Sequence, residues 1–229
     1  MRINEVFLSI DGEVNGFDGQ GQPSAFVRFQ GCSAGCSYCD TEYAQDFEKG
    51  EESSPSEIFD WVKSLGVGKI TITGGEPFEQ RGALRDFLIL NPYDTTIETN
   101  GLHRLLPRRG VFPLSPKIRY VMDIKLSSSG VEVNEEILQM NLRDLLPRYD
   151  WIKFVISSKE DYVEAMSIIS KFPISEFRIA FSPARYGEHW MVHPREIVQW
   201  MLESSKNSLP GERCFFHINC QLHRLVEMR

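Results

Sequence analysis

Apolar, β-branched runs alternate along the chain with stretches of helical period. Residues 24–30 (SAFVRFQ) read as a strand. Residues 54–65 read as a helix: Ser54 can cap it, Pro55 suits the first helical position, and Glu57 completes a capping box. Ile58, Val62 and Leu65 then fall on one face. Residues 69–73 (KITIT) form a strand that ends in Gly-Gly, and residues 79–90 a helix with Leu84, Phe87 and Leu88 inward. Residues 95–99 and 120–126 are further strands. The second half continues the pattern. A helix over 134–146 stops before Pro147, a strand covers 151–157, and a helix over 159–172 is capped by Ser158, with Tyr162, Ala165, Met166 and Ile169 inward. A strand over 176–182, a helix over 194–204 and a last strand over 214–219 complete the reading. Such alternation calls for a parallel sheet with helices outside it. About six strands are expected, fewer than the eight of a closed (β/α)8 barrel. No repeat, low-complexity tract or linker breaks the pattern, so one domain over residues 1–229 is expected.

In parallel sheets ligands gather at the carboxyl ends of the strands, and the unusual residues of this chain follow strands. Residues 31–41 read GCSAGCSYCDT, with Cys32, Cys36 and Cys39 at a C-x3-C-x2-C spacing. Small residues between the first two let the loop fold round a compact metal centre. Thiolates hold iron–sulfur clusters, normally four for a [4Fe–4S] centre. Three local cysteines leave one iron without a protein ligand, and an open position marks a reactive centre. A structural zinc site is the bland alternative. Zinc wants four ligands, usually as two spaced pairs, and that pairing is missing. Cys214 and Cys220 read as small buried hydrophobes beside a terminal strand. The second signal is TGGEP at residues 73–77. Its glycines let backbone approach a ligand, and Glu76 offers a carboxylate to an ammonium group.

Charge and composition narrow the field. The formal net charge is −7, which disfavours a nucleic-acid backbone as partner. Arg104, Arg108 and Arg109, the densest basic group, read as a solvated loop or helix end. No segment approaches the roughly 18 apolar residues that span a bilayer, and the first residues carry no secretory pattern. The expected compartment is the cytoplasm, where five cysteines are metal ligands or buried side chains before they are disulfides.

The cysteine loop and the GGEP strand end, in this order and one βα unit apart, resemble the radical S-adenosylmethionine (SAM) superfamily. The resemblance implies three cysteines on three irons of a [4Fe–4S] cluster, the fourth iron chelated by the SAM amino and carboxylate groups, and a SAM amine held by the GGEP strand end. Reductive cleavage of SAM then yields a radical that abstracts hydrogen from substrate. The fold implied is a partial, trimmed (β/α)6-type parallel barrel. Four further segments resemble the 7-carboxy-7-deazaguanine synthase family: EVFLSIDGE at 5–13, AFVRFQGC at 25–32, ETNG at 98–101 and QLHRLVEMR at 221–229. That family converts 6-carboxy-5,6,7,8-tetrahydropterin to 7-carboxy-7-deazaguanine and ammonia, needs Mg²⁺ and works as a homodimer. A one-electron reductant such as a flavodoxin is implied.

Carried across, Ile10, Asp11 and Gly12 line the pterin site through backbone groups, Arg28 pairs with the substrate carboxylate, and Thr73 contacts the substrate. Thr41 offers its hydroxyl to Mg²⁺. Tyr38, Cys39, Asp40, Gly75, Glu76, Asp123, Ile124, Lys125, Ser182, Pro183, Ala184 and Arg185 touch SAM. Arg229 folds back toward the substrate. Plainer readings stand beside these: a surface salt bridge for Arg28, a turn for Glu13, a strand-end ion pair for Asp123 and Lys125. His223 is expected to be a satisfied histidine outside the site. The chain departs from the family at Asp11, usually Gln, at Val14, usually Gly, in a longer loop over 15–22, and at Asp123-Ile124-Lys125, often Ser-Pro-Lys. The rivals are a small glycyl-radical activase of the same superfamily and a non-catalytic zinc-binding protein.

Overall fold

The computed structural model describes residues 1–16, 19–107, 118–174, 176–206 and 215–228. In chain order the strands are β1 (Arg2–Ile10), β2 (Pro23–Phe29), β3 (Glu51–Glu52), β4 (Lys69–Gly74), β5 (Asp94–Thr99), β6 (Ile118–Asp123), β7 (Trp151–Ile156), β8 (Arg178–Pro183), β9 (Arg185–Tyr186), β10 (His189–Trp190) and β11 (Phe215–Ile218). The helices are α1 (Pro55–Ser64), α2 (Arg81–Leu90), α3 (Glu135–Asp144), α4 (Lys159–Lys171), α5 (Pro194–Lys206) and the single turn α6 (Leu222–Leu225). Among the described residues the main sheet runs β11-β8-β7-β6-β5-β4-β2-β1-β3. From β2 to β11 every neighbouring pair is parallel, and β1 pairs antiparallel with both β2 and β3. Among the described residues the parallel part holds seven strands, one for each strand read from the sequence, against a barrel of about six expected.

The helices form where the periodicity places them. Ser54 and Glu57 close a reciprocal capping box at the start of α1, an arrangement whose loss costs about 1 kcal/mol. Asn134 caps α3 by accepting from the N–H groups of Glu136 and Ile137, and Ser158 caps α4 by accepting from Asp161. The helix expected from residue 79 starts later. Pro77 opens a 3-10 turn over Pro77–Gln80, held by the N–H of Phe78 on the Glu76 carboxylate, and α2 follows at Arg81. The strand expected to reach residue 126 stops at Asp123, and a 3-10 turn at Ser127–Ser129 takes over. The first residue of the expected terminal strand, Cys214, lies outside the described residues, as do Arg108, Arg109 and Arg229. Arg104 pairs with Asp144 at 2.9 Å.

Outward-facing strand residues make the core. Val27, Phe29, Ile70, Ile72, Ile97, Met122, Ile152, Phe154, Ile179 and Phe181 are buried with Ile58, Val62, Leu84, Phe87, Tyr162 and Ile197 of the helices. Burying each such side chain contributes about 1.5–3 kcal/mol. The inward faces are divided by height. Val121 and Trp151 lie level in the register and pack with Ala180 and Val14 in a separate apolar cluster. One inward step up, the register brings polar residues level: Arg28 beside Thr73, and Asp123 beside Lys153. The segment after β1 thus supplies an apolar floor, and Val14 is the side chain that fills it.

Candidate active site

A cavity of about 620 Å³ opens above that floor, within the range of ligand sites. Its walls include Cys32, Cys36 and Cys39 from the loop after β2, Gly75 and Glu76 after β4, Asn100 after β5, and Asp123 and Lys125 after β6. Ser182, Pro183, Ala184 and Arg185 close the side at β8. Ile10, Gly12, Arg28, Tyr38, Asp40, Thr41 and Thr73 also line it. The sequence-predicted site residues are thus gathered in one place, with three exceptions. Asp11 is buried away from the cavity: its carboxylate pairs with Lys69 and accepts from Thr71 at 2.6 Å, and its backbone groups bond to Gln22 and Gly21. Ile124 is packed in the core. Arg229 falls outside the described residues, although its neighbour Met228 lines the wall.

The two motifs are fastened to each other. Gly75 donates to the Phe29 carbonyl at 2.9 Å, and Glu76 donates to the Gly31 carbonyl at 2.8 Å. A Cβ on Gly75 would stand 2.3 Å from the Gly31 oxygen and 2.5 Å from that of Ala44. Glycine is required here by the cysteine loop itself, besides any ligand. Glu76 is fully buried and accepts from Phe78 at 2.9 Å, Thr99 at 2.8 Å and Asn100 at 2.7 Å. Desolvation pushes its carboxyl pKa up, against those three donors. Four lone-pair directions and three donors leave one free for an ammonium group.

Among the described residues, no three His, Cys, Asp or Glu side chains converge to hold a single metal ion. A [4Fe–4S] cluster asks for something different, since each thiolate sits on its own iron around a shared space. The three half-buried free thiols on one loop fit that demand. Burial raises the pKa of Cys32 and Cys36, so cluster assembly must expel their protons.

Below the cysteines the cavity is strongly charged. Lys153 Nζ stands 2.7 Å from Glu13 and 3.2 Å from Asp123, and Lys125 stands 2.7 Å from Asp123. Burial opposes the Lys153 charge, yet Asp123, Glu13 and Glu98 hold its pKa well above the ordinary lysine value. Glu98 goes the other way. Burial, then the charge of Glu13, lift its pKa to about 7, although Lys153 and a hydrogen bond with Thr73 resist. Arg28 donates from Nε to Glu5 at 2.9 Å, and its guanidinium lies near the rings of Phe7 and Tyr43, 5.5 and 5.7 Å from their centroids.

Several wall residues had no site role in the sequence reading: Glu5, Phe7, Ser9 and Asn100, read only as parts of family-like segments, and Tyr43, Lys153 and Asn219, not singled out at all. Glu13 is more than a turn residue, and His223 belongs to the wall. The His223 ring occupies the space above Gly12, where a Cβ would meet Nδ1 at 1.8 Å. Only the family-like segments could have signalled these two. Cys220 is half-buried rather than enclosed.

Comparison with known proteins places the fold and the segments together. The sequence profile of the Radical SAM superfamily matches residues 26–140. The 7-carboxy-7-deazaguanine synthase of Clostridium acetobutylicum is 33% identical, over 98% of this chain and 95% of that one. The enzyme of the same name from Chlorobaculum tepidum is 34% identical, over 99% and 94%. Among solved structures, QueE from Escherichia coli superposes with a TM-score of 0.63 at 21% identity, over 96% of this chain and 93% of that one. Streptococcus suis SuiB bound to S-adenosylmethionine gives 0.55 at 15% identity, over 85% and 51%. The chain belongs to the 7-carboxy-7-deazaguanine synthase family within the radical SAM superfamily.

Proposed function

We propose that the chain contracts the ring of 6-carboxy-5,6,7,8-tetrahydropterin to 7-carboxy-7-deazaguanine with loss of ammonia, as a radical SAM lyase. One observation carries the reading. The opening segment, the strand before the cysteines and the tail segment, which lie at opposite ends of the sequence, contribute Glu5, Glu13, Arg28, Gln221 and His223 to the cavity that the cysteines overlook. The cluster, when bound, supplies the electron that cleaves SAM and so generates the hydrogen-abstracting radical. The remaining work belongs to side chains.

Glu76 takes the SAM amine on its free lone pair. Asp123, held between Lys125 and Lys153, would contact SAM at the end of β6. Arg28 takes the substrate carboxylate: Nε is engaged by Glu5 and the Phe7 and Tyr43 rings stand beside the guanidinium, so the two terminal nitrogens remain for a bidentate pair. Glu98 keeps a proton available near neutral pH beside Thr73, the residue expected to contact the substrate. Orientation matters, because misplacing a reacting hydrogen by about 1 Å can cost on the order of a hundredfold. Thr41 offers its hydroxyl to Mg²⁺ next to Asp40, to which it now donates at 2.9 Å. We also propose a homodimer, a flavodoxin-like donor and a cytoplasmic location. Among the described residues no helix is long and apolar enough to cross a membrane.

The test is anaerobic reconstitution, then incubation with SAM, dithionite and the carboxylated tetrahydropterin. The expected products are 7-carboxy-7-deazaguanine, ammonium and 5′-deoxyadenosine. Formation of 5′-deoxyadenosine that ignores the pterin would end the proposal.

A further inference from the structure

Cys32 differs from the other two cysteines of its loop in its surroundings. Its sulfur accepts from the backbone N–H of Ala34, as that of Cys36 accepts from its own N–H, so the difference lies in a side-chain donor. The side-chain amide nitrogen of Asn100 stands 3.9 Å from the Cys32 sulfur, within range of an N–H···S bond. Among the described residues no side-chain donor reaches Cys36 or Cys39 in this way. The direction of the Asn100 amide is settled by its other end. Oδ1 accepts from the N–H of Leu102 at 3.0 Å, in a turn that asparagine favours. The NH2 group is therefore the end turned to Cys32. The backbone of Asn100 is anchored as well, by its N–H on Glu76 at 2.7 Å.

We propose that Asn100 is a positioning residue for the cluster, and that its N–H···S bond to Cys32 makes the cluster easier to reduce. Reduction adds negative charge that spreads onto the thiolate sulfurs. A donor held at one of them stabilises the reduced state more than the oxidised state, which raises the reduction potential. The effect is local to one iron, and the strand end that fixes it is the one that also completes the Glu76 site. The inference rests on the cluster assignment and not on the identity of the substrate.

Two variants separate the donor from the fold. Asn100→Ser keeps an oxygen to accept from Leu102 and removes the amide donor. Asn100→Asp keeps the shape and replaces the donor with an acceptor. Iron is counted first, then each reconstituted protein is titrated potentiometrically without SAM, following the electron paramagnetic resonance signal of the reduced cluster. With about four irons per chain, reduction of Asn100→Ser should be about tenfold less favourable, about 59 mV more negative for a one-electron couple. Asn100→Asp should be lower still. Equal potentials in wild type and Asn100→Ser would overturn the proposal, and a change confined to SAM affinity would do the same. Wild-type protein labelled with ¹⁵N only in asparagine side chains gives an arm that needs no variant. A nitrogen hyperfine coupling on the reduced cluster is expected, and its absence also overturns the proposal. A wild-type chain that takes up no cluster defeats the family reading first, and the iron count tells the two failures apart.

Discussion

Thr41 and Glu98 show how a single side chain can be tested apart from its neighbours. The Thr41 hydroxyl donates to Asp40 and lines the cavity just past the last cysteine. Mg²⁺ keeps several waters and takes few protein ligands, so one lost hydroxyl should be felt without being fatal. Thr41→Ala should need several-fold more Mg²⁺ for half-maximal rate, with the iron–sulfur absorbance unchanged; superimposable Mg²⁺ titrations would remove Thr41 from the metal site. Glu98 makes a prediction about stability. Its carboxyl titrates at about 7 in the folded chain, chiefly because burial disfavours the charge, against an ordinary value of 4.5. Between those pH values the folded chain holds a proton that the unfolded chain has lost. Stability must therefore fall as pH rises from about 4.5 to about 7, by on the order of 3 kcal/mol in total. Glu98→Gln removes that slope. Its unfolding free energy should gain on wild type steadily between pH 5 and 7.5. A pH-independent difference would mean that Glu98 is ionised throughout.

The join between β4 and the cysteine loop is where strand geometry and chemistry meet. Gly75→Ala puts a methyl group against two backbone carbonyls that cannot rotate away. Overpacking of this kind costs about 2 kcal/mol, or roughly 4–8 °C in Tm for a chain of this length, and it should lower iron uptake because the cysteine loop must move. Gly82→Ala is the control. Gly82 lies in α2 with open space around it, so alanine there should raise stability by about 0.5–1 kcal/mol. Equal Tm changes in the two variants would separate Gly75 from the loop. The helices were legible because their apolar faces and caps are local signals. β1 was not, although it is the longest strand, and the reason is physical. Glu5, Phe7 and Ser9 face the cavity while Leu8 is exposed on the other face, so the usual rule of apolar inside and polar outside is partly inverted. The glycines of the second motif were read as room for a ligand, but the contact that requires Gly75 joins residues far apart in sequence.

The cavity itself is an assembly of distant segments, which sets the limit of what residue order can reveal. Cys32, Cys36, Cys39 and Glu76 sit in compact motifs and were visible at once. Lys153 sits in the middle of β7 and Asn219 just past β11, with no local motif, and their partners Glu13 and Val14 lie more than a hundred residues away. Lys153 meets Glu13 only because the segment after β1 crosses the barrel floor. Asp11 shows the opposite case: at a position expected to line the site through its backbone, the carboxylate forms a buried ion pair with Lys69 and the residue is absent from the cavity wall. The same convergence makes the tail testable. After β11, Asn219 donates to Ser182 at 2.8 Å and accepts from the N–H of Val14 at 2.9 Å. Gln221 then donates to Glu13 at 3.1 Å and to Asp40 at 2.9 Å, while His223 stands over Gly12. The tail thus ties the end of β11 to the segment after β1, on what the proposed function makes the substrate side of the cavity. On the proposed assignment the cluster ligands and most SAM residues lie on the cysteine loop, at Glu76 and at the end of β6, and Asp40 is the SAM residue that Gln221 itself touches. Ending the chain after Cys220 removes Gln221 and His223 and leaves the Asn219 bonds in place. Hydrogen bonds to charged groups contribute about 1.5–3 kcal/mol each, so the shortened chain should show a KM for the pterin raised at least about tenfold. Iron content and SAM affinity should stay within about threefold of wild type. A parallel loss of SAM binding would mean that the tail supports the entire barrel, and an unchanged KM would mean that it lies outside the substrate site.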